Sequence, residues 1–550
     1  MDFKTVAKLA RFKDLTLVLL KYGFDDIVQR FHLPGSELLG KMQHTPHGLN
    51  TYERIRYALQ DLGPTFVKFG QIMSLRPDFL PPPLIEELSK LQDQVAPVPF
   101  DGMRRVVEAS VGRPLEEVFS ILDPEPLAAG SLSQVHRGVL SREGLIVAVK
   151  IQRPGIRRKM ETDLDIFETI AGLVHERSEE LRAYDFPGMI REIRRSLLRE
   201  INFTLEARNM KIARSHLADE TGVYVPEVYE DHCSERLLVM EYIQGTKVRE
   251  AAFDSIEDPQ LLARQGLQAA IKQILVDGFF HADPHPGNVL ITNDGRLCLL
   301  DWGMVGYLTE SDRHDLADML HHIVERDSRA LMHTFIRIST LYGVVDQRGL
   351  ERGLLEILET HYAVPLKDLK VGRLLIHIVS LLREHGLRIP SDLVLMIKAL
   401  MTAEGTALEI YPAMNIFAEA EGQVRSLVMR RYNPEHLWQS LHSALSRFLA
   451  LQHDFPESLV RVTKMMEKGE LSVQFEHENL EGLMKTLDNS SNRLTFGVII
   501  GALIIGSSMI ITTGLGPLLF GFPALGLLGY LVSGLLGLWV VFSIIRSRKY

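Results

Sequence analysis

Gly278-Phe-Phe-His281-Ala-Asp283-Pro-His285-Pro-Gly287-Asn288-Val-Leu leads, after a short polar turn, into Leu297-Cys298-Leu-Leu-Asp301-Trp-Gly303. The chain contains no more informative stretch. An aspartate, an asparagine five places on and a second aspartate closing an apolar run form a metal–phosphate constellation. In that pattern the first carboxylate, Asp283, orients an attacking group, while Asn288 and Asp301 hold the divalent cation. Between them, Val289 to Thr292 and Arg296 to Leu300 flank Asn293-Asp-Gly295, which predicts a β-hairpin. Such a hairpin would fix the two metal ligands relative to each other.

Working back from there, Leu145-Ile-Val-Ala-Val-Lys150 is an apolar strand ending on a lysine, a charge that needs a partner if buried. Before it, Ala128-Ala129-Gly130-Ser131-Leu-Ser-Gln134-Val-His136 predicts strand, small-residue turn, strand, a loop whose backbone N–H groups can approach a phosphate. After it, long charged helices are predicted from 156 to about 216, carrying Glu200 and Glu206; either could pair with Lys150. Arg236 to Gly245 reads as a buried strand running into a polar segment, where backbone groups around Glu241 to Ile243 could meet an adenine edge. Small-residue loop, strand lysine, helix glutamate, hinge, Asp283/Asn288 and Asp301 stand in protein-kinase order.

Three strings are narrower than that general pattern: Lys68-Phe-Gly70-Gln71, the loop Ala128 to His136, and His281-Ala-Asp283-Pro-His285-Pro-Gly287-Asn288. On these the chain resembles the UbiB/ADCK-type atypical kinases over roughly residues 50 to 310. Glu200-Ile-Asn202 with Glu206 resembles that family's E-x-D helix, departing at Asn202, where aspartate is usual; Gly130 departs from an alanine-rich loop. The resemblance implies an α+β, two-lobed kinase-like fold with a helical N-terminal extension over the active site. It implies ATP and Mg2+ as cofactors, Lys68 as an active-site residue in the place of a protein substrate, and hydrolysis in preference to protein phosphorylation. It also implies a role in ubiquinone or related isoprenoid-lipid biosynthesis, with quinone intermediates and their biosynthetic enzymes as partners.

The bulk properties are compatible. A chain of 550 residues exceeds one ordinary core. A net charge of −9 with 24% charged residues gives no sign of a nucleic-acid partner, and two cysteines suit a reducing, cytoplasm-facing compartment. Mean hydropathy is +0.04, and the tail accounts for it. From Leu494 to Ile545 no residue is charged, and Thr513-Gly-Leu-Gly516-Pro517 splits the run into about 494–513 and about 518–545. Each part is long enough to span a bilayer at about 20 residues per crossing. Arg493 before the pair, and Arg546, Arg548 and Lys549 after it, place both ends on the cytoplasmic side of the inner membrane. Gly497 with Gly501, and Gly529, Ser533 and Gly537, would let the two helices pack closely or form a homodimer.

The expected organisation is therefore an extension over 1–100, an N-lobe with a helical insertion over 101–245 and a helical C-lobe over 246–470. A polar tether over 471–493 and a transmembrane hairpin over 494–545 complete it. Stripes such as Leu316, Met319, Leu320, Ile323 and Leu354, Leu355, Ile357, Leu358 are expected in the C-lobe core.

Overall fold

The computed structural model describes residues 3–30, 48–91, 95–177, 186–253, 256–341, 345–362, 371–416, 419, 480–513 and 517–547, with positions 75, 77–78 and 520–521 left out. The chain divides into two compact units, residues 1–439 and 440–550.

In the first unit, helices Phe3–Lys21, Asp25–Arg30, Thr51–Leu62, Pro64–Met73 and Pro82–Ser89 form the extension. Gly63 at φ +97° turns the chain between the third and fourth, and Pro64 starts the fourth where a missing N–H is harmless. Then come β1 (Phe119–Leu122), β2 (Ala128–Ala129), β3 (Ser133–Leu140), β4 (Ile146–Gln152) and, later, β6 (Leu237–Glu241). These make an antiparallel sheet in the order β1-β3-β4-β6 with β2 on β3. Val147, Val149 and Ile151 of β4 enter a core with Met103 and Val107 of helix Phe100–Val111. Strand alternation turns Ala148 and Lys150 to the opposite face. The helices Ile156–Arg177, Phe186–Glu200 and Phe203–His216 follow, as the charged periodicity predicts.

The first two insertion helices do not stand apart. Ile156, Met160, Leu164, Ile190 and Leu197 share a core with Val67, Met73 and Leu88 of the extension and with Leu132 of the small-residue loop. The extension therefore lies against that loop.

A second sheet, β5 (Val223–Tyr224), β10 (Leu297–Leu299), β9 (Val289–Thr292) and β7 (Gly245–Lys247), begins where the chain leaves β6 through residues 242–244. The predicted hairpin is present, with Val289 opposite Leu299 and Ile291 opposite Leu297, and Gly295 at φ +80° closes it. β8 (Phe279–His281) pairs with β11 (Val305–Tyr307). From Glu310 to Ile410 the described residues form helices apart from turns and a two-residue ladder, Thr340–Leu341 with Leu387–Arg388, and the last of these helices is Ser391–Ile410. Of the predicted stripes, Leu316, Met319, Ile323, Leu354 and Leu358 are core, while Leu355 is exposed. This is the expected kinase-like mixture of helix and sheet. The C-lobe's expected continuation to residue 470 lies outside the described residues.

The second unit corrects the tail. Residues 480–493, expected as tether, belong to the single helix Leu480–Thr513, which no proline interrupts; the tether's first residues are outside the described set. Helix Ala524–Ser547 starts later than residue 518, because Leu518–Leu519 pairs with Phe522–Pro523 in a tight ladder first. Of the small residues expected between the two helices, Gly529 lies at their contact, joined by Gly526. A Cβ on Gly529 would collide with Ser507 Oγ, and one on Gly526 would press on Ile511, whereas Gly497, Gly501 and Gly537 have no atom within 4 Å of that position among the described residues.

Candidate active site

Lys150 settles the choice between the two glutamates. Its Nζ donates to Glu206 at 2.6 and 2.9 Å and to Asp301 Oδ2 at 3.4 Å. Glu206 sits in the first turn of helix Phe203–His216, capped by Asn202, whose Oδ1 accepts the Thr204 N–H. Glu200 ends the preceding helix and pairs with Lys68 instead, at 2.6 Å. The reason is the chain's turn at Ile201–Asn202, which sends the two carboxylates to different lysines. Glu206 is thus the partner of Lys150, and Glu200 belongs to the extension's contact.

Electrostatics bind the cluster together. Burial works against the Lys150 charge, yet Asp301 and Glu206 outweigh it and raise the lysine above its ordinary range. For Asp301, burial pushes upward, but the Lys150 charge, the Gly303 N–H bonded to Oδ1 at 2.9 Å and the Lys68 charge hold it well below the usual carboxylate range. Burial and the nearby Asp301 push Glu206 up against the pull of Lys150. Two carboxylates share one ammonium, so the group favours an added cation.

The catalytic loop is held from both ends. The Leu300 N–H donates to the Asn288 carbonyl at 3.0 Å, which sets Asn288 beside Asp301 at one end of the β9–β10 hairpin. The Ala282 N–H donates to Met304 O at 3.1 Å where β8 meets β11, linking the Asp283 and Asp301 segments. His281 is buried against Trp302, and its Nδ1 accepts the Asp283 N–H at 3.1 Å. Its Nε2 is buried with no hydrogen-bond partner among the described residues. Asp283 Oδ1 lies 3.1 Å from Lys398 Nζ.

The extension's motif is largely structural around its lysine. Gly70 lets the helix Pro64–Met73 press on Leu91 and Leu59, and Gln71 donates to Leu91 O at 3.1 Å. Lys68 is then aimed at Glu200 and lies close enough to Asp301 to lower its pKa. In the small-residue loop, Ala128 and Ala129 pair with β3, and the Gly130 N–H donates to Ser133 O at 2.9 Å. A Cβ at Gly130 would meet Ser133 O at an ordinary 3.6 Å, so the fold does not require this glycine. Ser131 is buried.

One expected cofactor contact is corrected. Gln134 is fully buried; its Oε1 accepts the Val98 N–H at 2.5 Å and its Nε2 lies 3.3 Å from His136. It therefore braces the loop from beneath and does not face a phosphate. At the hinge, the Glu241 side chain accepts from Tyr224 Oη at 2.6 Å, its N–H donates to Glu227 O, and the Tyr242 N–H donates to Ile146 O at 3.4 Å.

Two residues were missed by sequence reasoning. Arg153 donates to Gly130 O at 2.8 Å and to Ala96 O at 3.0 Å, holding the small-residue loop in shape. Lys398 was legible only as a lone charge in the apolar run Val394 to Met401.

The residues fit Mg-ATP by donor chemistry. Mg2+ is commonly bound through one or two protein oxygens plus phosphates, and Asn288 with the part-exposed carboxylate of Asp301 provides that. Lys150 faces the same cleft.

Residues 90–335 match the ABC1 atypical kinase-like domain, 354–415 the UbiB helical domain and 478–546 the ABC1/UbiB kinase-like C-terminal domain. The chain is 30% identical to an uncharacterized Clostridium pasteurianum protein encoded in the hydrogenase 1 5' region, over 98% of this chain and 99% of that one. It is 31% identical to a probable protein kinase UbiB of Vibrio cholerae, covering 96% and 98%, and 32% identical to that of Pectobacterium carotovorum, covering 80% and 82%. Among solved structures, a Mycobacterium tuberculosis protein in complex with erythromycin aligns with 22% identity and a TM-score of 0.47, over 64% of this chain and 90% of that one, a likeness too distant to carry an argument.

Proposed function

The chain belongs to the ABC1/UbiB atypical kinase-like family, and on that premise we propose that it is a membrane-anchored, Mg-dependent ATPase supporting ubiquinone or related isoprenoid-lipid biosynthesis. The observation that carries the ATPase reading is the Lys150–Glu206–Asp301 cluster beside Asn288. Lys150 binds the phosphates, held in place by Glu206. Asn288 and Asp301 hold Mg2+, whose charge offsets that of the phosphates. Asp283 orients the attacking water. Lys68, tied to Glu200, occupies the acceptor side of the cleft and disfavours a protein hydroxyl there.

The anchor reading rests on Leu494–Thr513, a 20-residue segment of mean hydropathy 2.3, followed by the shorter apolar helix Ala524–Val540. With Arg493 and Arg546 flanking the pair, both helices cross the inner membrane as a hairpin and leave the kinase-like domain in the cytoplasm. Hydrolysis at a bilayer would help expose a lipid-soluble intermediate to soluble enzymes.

The test is phosphate release from ATP by the full chain, with and without Mg2+ and liposomes, for wild type and Asp301→Asn. Release that needs Mg2+ and disappears in the variant supports the reading. Nucleotide binding without release would point to a nucleotide-gated scaffold. A phosphotransferase is the second reading, favoured because Lys68 stands as a removable block; Lys68→Ala would then release autophosphorylation.

A further inference from the structure

The helix Ser391–Ile410 grips the catalytic loop at two points on one face. Lys398 Nζ lies 3.1 Å from Asp283 Oδ1, and two turns on, Thr406 Oγ1 donates at 2.9 Å to the carbonyl of Pro284, the next residue of the loop. The stretch that carries Lys398 is apolar: Leu393, Val394, Met396, Ile397 and Ala399 are all buried core. A lysine in such a run, held part-buried, is not explained by solubility. The loop itself brings no lysine or arginine to its aspartate, since Pro284-His285-Pro286-Gly287 fills the interval to Asn288 and the ring of His281 accepts a backbone N–H. The cleft's other two lysines are engaged elsewhere, Lys68 by Glu200 and Lys150 by Glu206 and Asp301.

We propose that Lys398, on the helical domain, is a positioning residue for the reaction: it holds the Asp283 carboxylate in one rotamer through Oδ1, leaving Oδ2 for the attacking water or hydroxyl. The helical domain is thereby part of the active site, and a displacement of Ser391–Ile410 misaligns Asp283 without touching the nucleotide groups. The inference rests on the reading of Asp283 given above.

The experiment is a double-mutant cycle in Mg-dependent phosphate release by the full chain, with Lys398→Met, Lys398→Arg, Asp283→Asn and the double variant Lys398→Met/Asp283→Asn. Lys398→Met should lower kcat about 100-fold, the scale of a misplaced reacting group, with KM for ATP within about 2-fold. Lys398→Arg should recover most of that loss. In the Asp283→Asn background, Lys398→Met should cost less than about 2-fold, because its target is already gone. Equal losses in both backgrounds, or a rise in KM with kcat unchanged, overturn the proposal. An unimpaired Asp283→Asn overturns the reading of Asp283 as well, which separates the two failures. If Lys398→Met does not fold, judged by nucleotide binding, Lys398→Gln takes its place in the same cycle with the same outcomes.

Discussion

Acid should unlock the catalytic loop through His281, and the size of the effect follows from its burial. The residue is 4% exposed and packs on Trp302 with ring centroids 4.9 Å apart. Burial draws its pKa from 6.5 down to about 4, opposed by the charges of Asp301 and Asp283 and assisted by those of His285 and Lys398. Between those two values the unfolded chain binds more protons than the folded one, so stability falls as the pH drops through the window and levels off below it. A difference of about 2.5 pH units at about 1.4 kcal/mol each gives about 3 kcal/mol in full, of which about 2 kcal/mol is lost by pH 5. Protonation also removes the acceptor at Nδ1, freeing the Asp283 N–H, so turnover should fail with stability. His281→Asn keeps an acceptor oxygen near that position and removes the titrating group. Thermal unfolding of the full chain in detergent, followed by tryptophan fluorescence at pH 7 and pH 5, makes the comparison. Wild type should lose about 2 °C more than His281→Asn on acidification. An equal loss in both proteins would refute the reasoning.

Glu206→Gln should weaken the hold on Lys150 by about 1.5–3 kcal/mol, the scale of a hydrogen bond to a charge. That appears as a roughly 10- to 100-fold fall in kcat/KM for ATP, and an unchanged value would mean Asp301 alone positions the lysine. Gly306 lies directly opposite Phe280 in the β8–β11 ladder, and a Cβ there would collide with the ring. Gly306→Ala should therefore destabilise by about 1–3 kcal/mol, read as a lower denaturation midpoint; no change would show that the ring can move aside. Arg11 donates to fully buried Asp163 at 2.7 Å and to Leu62 O at 2.6 Å, fastening the first helix to the insertion and to the approach of the Lys68 helix. Arg11→Ala strips a buried charge of its partner and should cost about 3–5 kcal/mol. Adding Asp163→Asn should restore part of that; if it makes matters worse, the pair is not what holds the helix.

The β9–β10 hairpin, the strand ending on Lys150 and the apolar tail were legible because each is a local pattern: period-two alternation, a Gly turn, a run without charge. The order of Lys150, Asp283, Asn288 and Asp301 was legible for the same reason, since each residue lies in or just beside an element that its own neighbours specify. The small-residue spacing at Gly497 and Gly501 misled, because it marks where helices can approach and carries no information about which face the partner helix takes. Glu200 and Glu206 were indistinguishable in one dimension; both end or begin helices, and only the turn at Ile201–Asn202 and the packing of the extension direct one to Lys68 and the other to Lys150. Gln134 looked like a phosphate contact until the Val98 backbone was seen to claim its amide. Arg153 carried no local signal, and Lys398 only that of a lone charge in an apolar run, since each acts on a backbone or carboxylate remote in sequence. What the chain's own order determined was therefore which elements form and which chemistry they can bring. Which charge meets which was decided by tertiary structure alone, because pairing depends on the close approach of segments whose sequences do not encode each other's position.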